Sequence, residues 1–397
     1  MKKMTAALAA LVLLTGVSCR AGAAFVRQTA DYFGTVSMLC LYEEEGSQDA
    51  WEEIKALLGE IEAAVSVSVP ASDIARFNAL ETGGRIAVSE ITSEILAVAE
   101  EAFEMTGGLY DPTVFPLVDL WGFSPRFNTN RAQRAMPYDR PQEDGHPAPA
   151  QARDVQALLP LVGVGGVITE RTQAGTFVTK ATPSVSVRGV RGAAKMDLGG
   201  IAKGYACDRV RALLKEKGYR EGYFVCGGSS MAFLSGPEGK PLTVTAGHPR
   251  DAKAEPYASL AARETTLSTS SDESHGYRAG GTLYCHILDP RTGYPLNTPV
   301  RDGPQRGTAC VTLLCDSAAL GDALSTALCL MGPEQALRFL EGRDMRMVMA
   351  VCRDGEEEIE VVSNAERGAV TLPPEGCRWA CAPDAEGRIR YTGEWLR

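Results

Sequence analysis

Residues 197–208 read DLGGIAKGYACD. Two adjacent glycines, Gly199 and Gly200, lead to Lys203 and Gly204. After them Ala206, Val210, Leu213 and Leu214 recur on one helical face, and Gly218 supplies a stop. The stretch is a loop that feeds a helix N-terminus. Backbone N–H groups at such a terminus attract anions. Paired glycines let a ligand approach the backbone, and Lys203 can bring a positive charge to it. The pattern is neither GxxxxGK[ST] nor GxGxxG, so taken alone it is better read as a glycine-rich turn bearing a surface lysine.

Outward from this loop, helical and strand signals alternate. Residues 185–197 and 223–226 read as strands on either side of it. Residues 49–65 carry Trp51, Ile54, Leu57, Leu58 and Ile61 at helical spacing. Residues 72–78 follow Pro70 and read as a turn into a short helix. Residues 89–105 form an amphipathic helix stopped by Gly107-Gly108. Residues 309–315 read as a buried strand, and 318–331 as a helix stopped by Gly332-Pro333. Residues 345–352 and 359–362 predict a hairpin around Asp354-Gly355. Residues 126–153, rich in Pro, Arg, Gln and Asp, read as a surface excursion. This mixture predicts an α+β fold of mixed sheets with packed helices.

The chain has 397 residues, a net charge of −10 and 45% apolar residues, which suits a folded core and argues against a nucleic-acid partner. Lys2 and Lys3 precede an apolar run over 6–15 that is too short to span a bilayer. Residues 1–24 therefore read as a secretory leader, and 25–397 as one catalytic domain. Cys19 follows Gly16-Val17-Ser18, a degenerate lipobox, which predicts lipid anchoring at Cys19. Cleavage after Ala21-Gly22-Ala23 is the alternative. The expected location is outside the cytoplasm, on the outer face of the cell membrane or in the periplasm. Most of the 11 cysteines sit in apolar runs and read as small buried hydrophobes, while Cys377 and Cys381 are spaced to pair. The chain has no CxxC pair and its four histidines are scattered, which argues against a zinc site.

Three further clusters carry chemistry. Asp322 and Thr326 stand at i and i+4, so a helix presents two hard oxygen donors on one face, a pairing that suits Mg²⁺. The alternative is a carboxylate near a helix start with a back-bonded threonine. His286-Ile-Leu-Asp289-Pro-Arg-Thr-Gly293 crowds a proton carrier, a carboxylate and a guanidinium around one corner. Nearby Thr269-Ser270-Ser271-Asp272 adds hydroxyls and a carboxylate. Residues 107–113 read GGLYDPT and 120–123 read LWGF, aromatics suited to a flat ring or to plugging the core.

Taken in order, GGLYDPTVFPLVDLWGF, DLGGIAKGYACD, CGGS at 226–229, HILDPRTG and GDALSTALCLMG resemble the ApbE family of FAD:protein FMN transferases. The resemblance runs from about Tyr32 to about Gly332. It implies that Phe33, the loop Asp73, Ile74 and Ala75, Asn78, Trp121, Gly122, Phe123 and Lys203 contact the flavin nucleotide. It implies Mg²⁺ bound by the Gly200 carbonyl with the Asp322 and Thr326 side chains, and places His286 and Asp289 at the reacting diphosphate. The activity implied is transfer of FMN from FAD to a Ser/Thr hydroxyl in a short motif of an acceptor redox protein. His286 or a nearby Asp would act as general base. The alternatives are a Mg²⁺-dependent FAD diphosphatase and a non-catalytic flavin-binding lipoprotein. Three places depart from the family pattern. Phe33 replaces a Met, Thr269-Ser-Ser-Asp-Glu273 replaces Thr-Ser-Gly-Asp-Tyr, and Ser229 follows Gly227-Gly228 where Asp or Asn is usual.

Overall fold

The structure, a computed structural model, describes residues 15–18, 25–43, 45–124, 142–143, 146–147, 149–182, 184–187, 190–251, 254–280, 282–298, 307–352, 359–365, 370–371 and 377–381. The 126–153 excursion lies largely outside these residues. Its end opens the helix Ala152–Leu158. The chain divides into two compact units, one of residues 1–60, 203–271 and 306–397, the other of 61–202 and 272–305. Their segments interleave along the chain, so no linker composition announces the division.

The first unit is built on a nine-stranded sheet. Its spatial order is Val26–Tyr32, Thr35–Leu41, Gly222–Cys226, Ser230–Phe233, Thr266–Ser271, Thr308–Cys315, Arg346–Val351, Ile359–Ser363 and Cys377–Cys381. All neighbours are antiparallel except the last pair. The central strand Thr308–Cys315 is buried at every position, which is why its sequence, TACVTLLC, does not alternate. One face packs on a smaller sheet that contains Leu242–Ala246 and Ala258–Ala262. Val225, Phe233, Val244, Leu260, Leu267 and Val348 share that core. Thr15–Ser18, within the predicted leader, pairs antiparallel with residues 243–246 at the edge of the small sheet. The helix Ala318–Met331 packs against the strands Thr266–Ser271 and Thr308–Cys315. Its N-cap Ser317 accepts from Leu320 N–H, and nearly all its residues are buried.

In the second unit Arg85–Val88, Gly175–Lys180 and Val167–Thr172 form a three-stranded antiparallel sheet. The helix Glu90–Thr106 is capped by the Ser89 side chain and ends at left-handed Gly107 (φ 61°), as the glycine pair predicts. A core of Leu117, Leu120, Trp121, Val155, Leu158 and Leu288 joins the helices Phe115–Trp121 and Ala152–Leu158.

Two expectations change. The strand expected over 185–197 exists only as a small hairpin, Val185–Val187 with Val190–Gly192. Beyond it the Met196 backbone bonds to the Asn78 side chain instead of a sheet ladder. Likewise residues 285–288, which are apolar and strand-like in sequence, keep strand only to Cys285, because the chain must turn for the Asp289–Gly293 corner. The hairpin expected after residue 345 forms, with Arg346–Val351 antiparallel to Ile359–Ser363. The described cysteines from Cys40 to Cys352 are thiols, and all but Cys352 are buried. No helix among the described residues is long and apolar enough to cross a membrane.

Candidate active site

The quoted stretch becomes the first turns of the helix Gly199–Glu216. From Lys203 onward this helix belongs to the first unit, where it meets the start of Ala318–Met331 at backbone distance. A Cβ on Gly204 would lie 2.0 Å from the Ala318 carbonyl oxygen and 2.8 Å from Ala319 Cα. Only glycine fits there. The contact lets Gly204 N–H donate to Asp322 Oδ2 at 3.1 Å, and Lys203 Nζ stands 3.7 Å from the same oxygen. Asp322 is 4% exposed, so these two contacts offset the cost of burying its charge.

One turn further along, Asp208 grips the N-terminus of the Asp322 helix. Its carboxylate accepts from Ala318 N–H at 2.8 Å, Ala319 N–H at 2.9 Å and Ser317 Oγ at 3.0 Å. Burial pushes the Asp208 carboxyl up from its ordinary range, and these donors pull it back. Thr326 lies one turn after Asp322. Its hydroxyl is 3.1 Å from Ser270 Oγ, which also bonds Ser325 Oγ at 2.8 Å. The back-bond from Thr326 Oγ1 to the Asp322 carbonyl is long, 3.5 Å. A carboxylate and a hydroxyl therefore share one face of a rigid helix, with a lysine beside the carboxylate. Among the described residues no three His, Cys, Asp or Glu side chains gather as a metal cage. One carboxylate plus neutral oxygens is nevertheless an ordinary protein share for Mg²⁺, which draws its other ligands from water and phosphate.

Phe33 and Gly34 form the two-residue turn between paired Tyr32 and Thr35, both with positive φ (55° and 68°). A bulky side chain in that region costs about 1 kcal/mol or more.

In the second unit the remaining predicted residues divide between two places. Asp73, Ile74, Ala75 and Asn78 share the helix Asp73–Ala79. The Asp73 carboxylate accepts from Ser89 N–H, Ser89 Oγ and Thr92 Oγ1 within 2.8 Å and from Arg76 at 3.2 Å. Ile74 is wholly buried. The Asn78 amide closes two hydrogen bonds on Met196, at 2.8 and 2.9 Å, and so ties this helix to the segment that enters the glycine pair. Lys180, buried, donates to the Asn78 carbonyl at 3.2 Å and lies over the Phe77 ring. Burial, with Lys195 nearby, lowers its ammonium to about 8. The Asp111-Pro-Thr113 turn braces the same segment from another side, since Asp197 N–H donates to the Pro112 carbonyl at 2.8 Å.

The second place is aromatic. Trp121 is 1% exposed, stacks on Tyr284 with centroids 5.6 Å apart, and donates Nε1–H to the Gly293 carbonyl at 2.8 Å. Phe123 packs on Tyr277, which stacks on Tyr284. Gly122 (φ 85°) turns the chain between Trp121 and Phe123. The indole thus anchors the Asp289–Gly293 corner. There Arg291 grips Asp289 with two side-chain bonds of 3.0 and 2.7 Å, which raises the guanidinium further. His286 backs onto His275: His286 N–H donates to the His275 carbonyl at 2.9 Å, and His286 Nδ1 lies 3.2 Å from the same oxygen. A carbonyl only accepts, so a neutral ring in this contact carries its proton on Nδ1.

A family model described as the ApbE family matches residues 33–350. The chain belongs to the ApbE family. It is 26% identical to a FAD:protein FMN transferase of Haemophilus influenzae over 89% of this chain and 94% of that protein. A FAD:protein FMN transferase of Vibrio cholerae is 28% identical over 89% and 95% of the two chains. Among solved structures, the flavin transferase ApbE from Vibrio cholerae superposes with a TM-score of 0.66 at 26% identity, covering 83% of this chain and 94% of that one. The apo flavinyl transferase ApbE of Pseudomonas stutzeri gives 0.65 at 25% identity, covering 84% and 92%.

Within the first unit the structure therefore gathers Lys203, Asp322 and Thr326. In the second it sets Asn78 against the entry to the glycine pair and joins Trp121 to the corner that carries Asp289. Sequence reasoning overlooked Asp208 and His275. Asp208 closes the quoted motif, but its cap partners lie 109–111 residues away. His275 faces His286 only because the hairpin Gly276–Ala279/Thr282–Cys285 pairs in that register.

Proposed function

We propose that this chain transfers FMN from FAD to a Thr or Ser hydroxyl of an acceptor protein and releases AMP. The acceptor oxygen attacks the FMN-side phosphorus, the bond from that phosphorus to the bridging oxygen breaks, and AMP departs with that oxygen. The observation that carries the reading is the set of Asp322 and Thr326 on one helix face with Lys203 beside the carboxylate. That donor set suits Mg²⁺, which when bound would neutralise charge on the diphosphate. Asp322 and Thr326 would hold it, with the Gly200 carbonyl. Lys203 would then turn from Asp322 towards phosphate oxygen. His286 Nε2 takes the hydroxyl proton in this reading, because both Asp289 oxygens are occupied by Arg291. Asn78, Phe33 and the 73–75 turn contact FAD, and Phe123 and Gly122 border the flavin.

The acceptor is a redox protein carrying a Ser/Thr flavinylation motif. The protein works outside the cytoplasm, anchored to the membrane through Cys19. The test incubates it with FAD, Mg²⁺ and a candidate acceptor, then follows fluorescent flavin on a denaturing gel. Flavin joined to the acceptor is the expected result. Free FMN and AMP alone would make it a diphosphatase, and unchanged FAD a binding protein.

A further inference from the structure

The Phe33–Gly34 turn delivers Thr35 to a place the reaction scheme above leaves unused. The Thr35 hydroxyl oxygen is closed off from solvent and meets no hydrogen-bond partner among the described residues. Most buried hydroxyls are paired, and leaving one orphaned costs stability, so an exception calls for a reason. Its neighbours supply one. Gly227 (φ 68°) carries no side chain at a point where a Cβ would lie 2.8 Å from Thr35 Cγ2, 3.3 Å from Thr35 Oγ1 and 3.4 Å from Lys203 Cδ. The hydroxyl and the lysine stem thus flank one spot that glycine keeps clear. The two-residue hairpin turn at Phe33-Gly34 fixes Thr35 at the start of its strand beside this spot.

We propose that Thr35 is a substrate-binding residue whose hydroxyl donates to an oxygen of the organic diphosphate that Lys203 engages. This rests on the flavin-transferase reading. The lysine stem is the flexible neighbour of the hydroxyl, and its ammonium sits 3.7 Å from Asp322. As that ammonium swings from the carboxylate to a phosphate, the stem moves with it and the hydroxyl gains an acceptor. No atom of the protein then has to take that role.

Thr35→Val removes the hydroxyl and keeps the shape, and Thr35→Ser keeps the hydroxyl. FAD and riboflavin are titrated into each by flavin fluorescence with Mg²⁺ present, and thermal unfolding is followed without ligand. Thr35→Val is expected to weaken FAD about tenfold or more, the scale of a hydrogen bond to a charged acceptor, with riboflavin unchanged. Thr35→Ser is expected to stay within about threefold of wild type for FAD, since the donor remains. The ligand-free Thr35→Val protein is expected to melt no lower than wild type, because it no longer buries an orphaned hydroxyl. Unaltered FAD affinity in Thr35→Val overturns the proposal. So does an equal loss for riboflavin, or a lower melting point with equal loss in both variants, since each marks a structural role. A wild type that fails to bind FAD overturns the transferase reading itself.

Discussion

Gly204→Ala is the sharpest test of the helix contact beneath Asp322. In an exposed helix this change stabilises by up to about 1 kcal/mol, because alanine loses less backbone entropy. Here the new methyl would begin 2.0 Å from the Ala318 carbonyl oxygen, with the Ala318 carbon at 2.5 Å and Ala319 Cα at 2.8 Å. All three are backbone atoms and none can rotate away. The helices must part by roughly 1 Å to reach ordinary contact, and such overpacking typically costs about 1–3 kcal/mol. The same movement stretches the 3.1 Å bond from Gly204 N–H to Asp322, a charge-assisted bond worth about 1.5–3 kcal/mol. Set against the helix gain, the net expectation is a loss of about 2–4 kcal/mol. Urea unfolding measures it, with Gly165→Ala as control, where a Cβ meets nothing within 4 Å. Flavin transfer is expected to fall about a hundredfold, the usual penalty for misplacing a reacting group by 1 Å. A Gly204→Ala protein as stable and active as wild type would refute the argument that backbone contact sets the position of Asp322.

Three further outcomes are expected. Asp322→Ala abolishes AMP release while FAD binding persists in part, and Thr326→Val is a milder version; near-normal turnover of Asp322→Ala at saturating Mg²⁺ excludes the metal assignment. Lys203→Ala weakens FAD by about tenfold or more and leaves riboflavin alone, whereas an equal loss for both shows that Lys203 supports the fold. The Lys180 ammonium is lowered to about 8 from 10.5, so between those values the unfolded chain holds a proton that the native chain has shed. Deprotonation then favours the native state, and the stability of wild type relative to Lys180→Met should rise between pH 7.5 and 10. A gap that stays level or narrows across that window in urea melts contradicts the assigned shift.

What the sequence reveals here follows from the range of each interaction. The helix 318–331 is legible from one capping serine, a continuous apolar surface and a Gly-Pro stop, all local signals. The Asp322–Thr326 pairing is equally local, because the i, i+4 relation needs nothing but the helix. Trp121 is less so. Its sequence shows an aromatic beside glycine, but its bond to Gly293 joins residues 172 apart. Asp73 and Asn78 show the same limit. Each looks like a polar residue awaiting a ligand, and no local signal shows that Asp73 also holds Ser89 at the start of another helix or that Asn78 also stands in for a strand partner at Met196. A polar side chain that replaces a missing ladder leaves no periodicity to detect, which is also why residues 193–197 pass for strand.

The clasp on Asp322 has a consequence for how the chain matures. Gly204 reaches a carboxylate 118 residues downstream, Lys203 stands beside the same group, and Asp208 caps a helix that begins 110 residues downstream. Between them run the strands Ser230–Phe233, Thr266–Ser271 and Thr308–Cys315, which stand side by side in the sheet. Closing so long a loop costs entropy that only the finished sheet repays. A nascent or clipped chain that lacks residues beyond 316 holds the lysine and the glycines without their carboxylate. In such a fragment the Gly204 N–H and the Asp208 carboxylate have neither of the partners they hold in the complete chain, so this geometry exists only once the residues beyond 316 are in place.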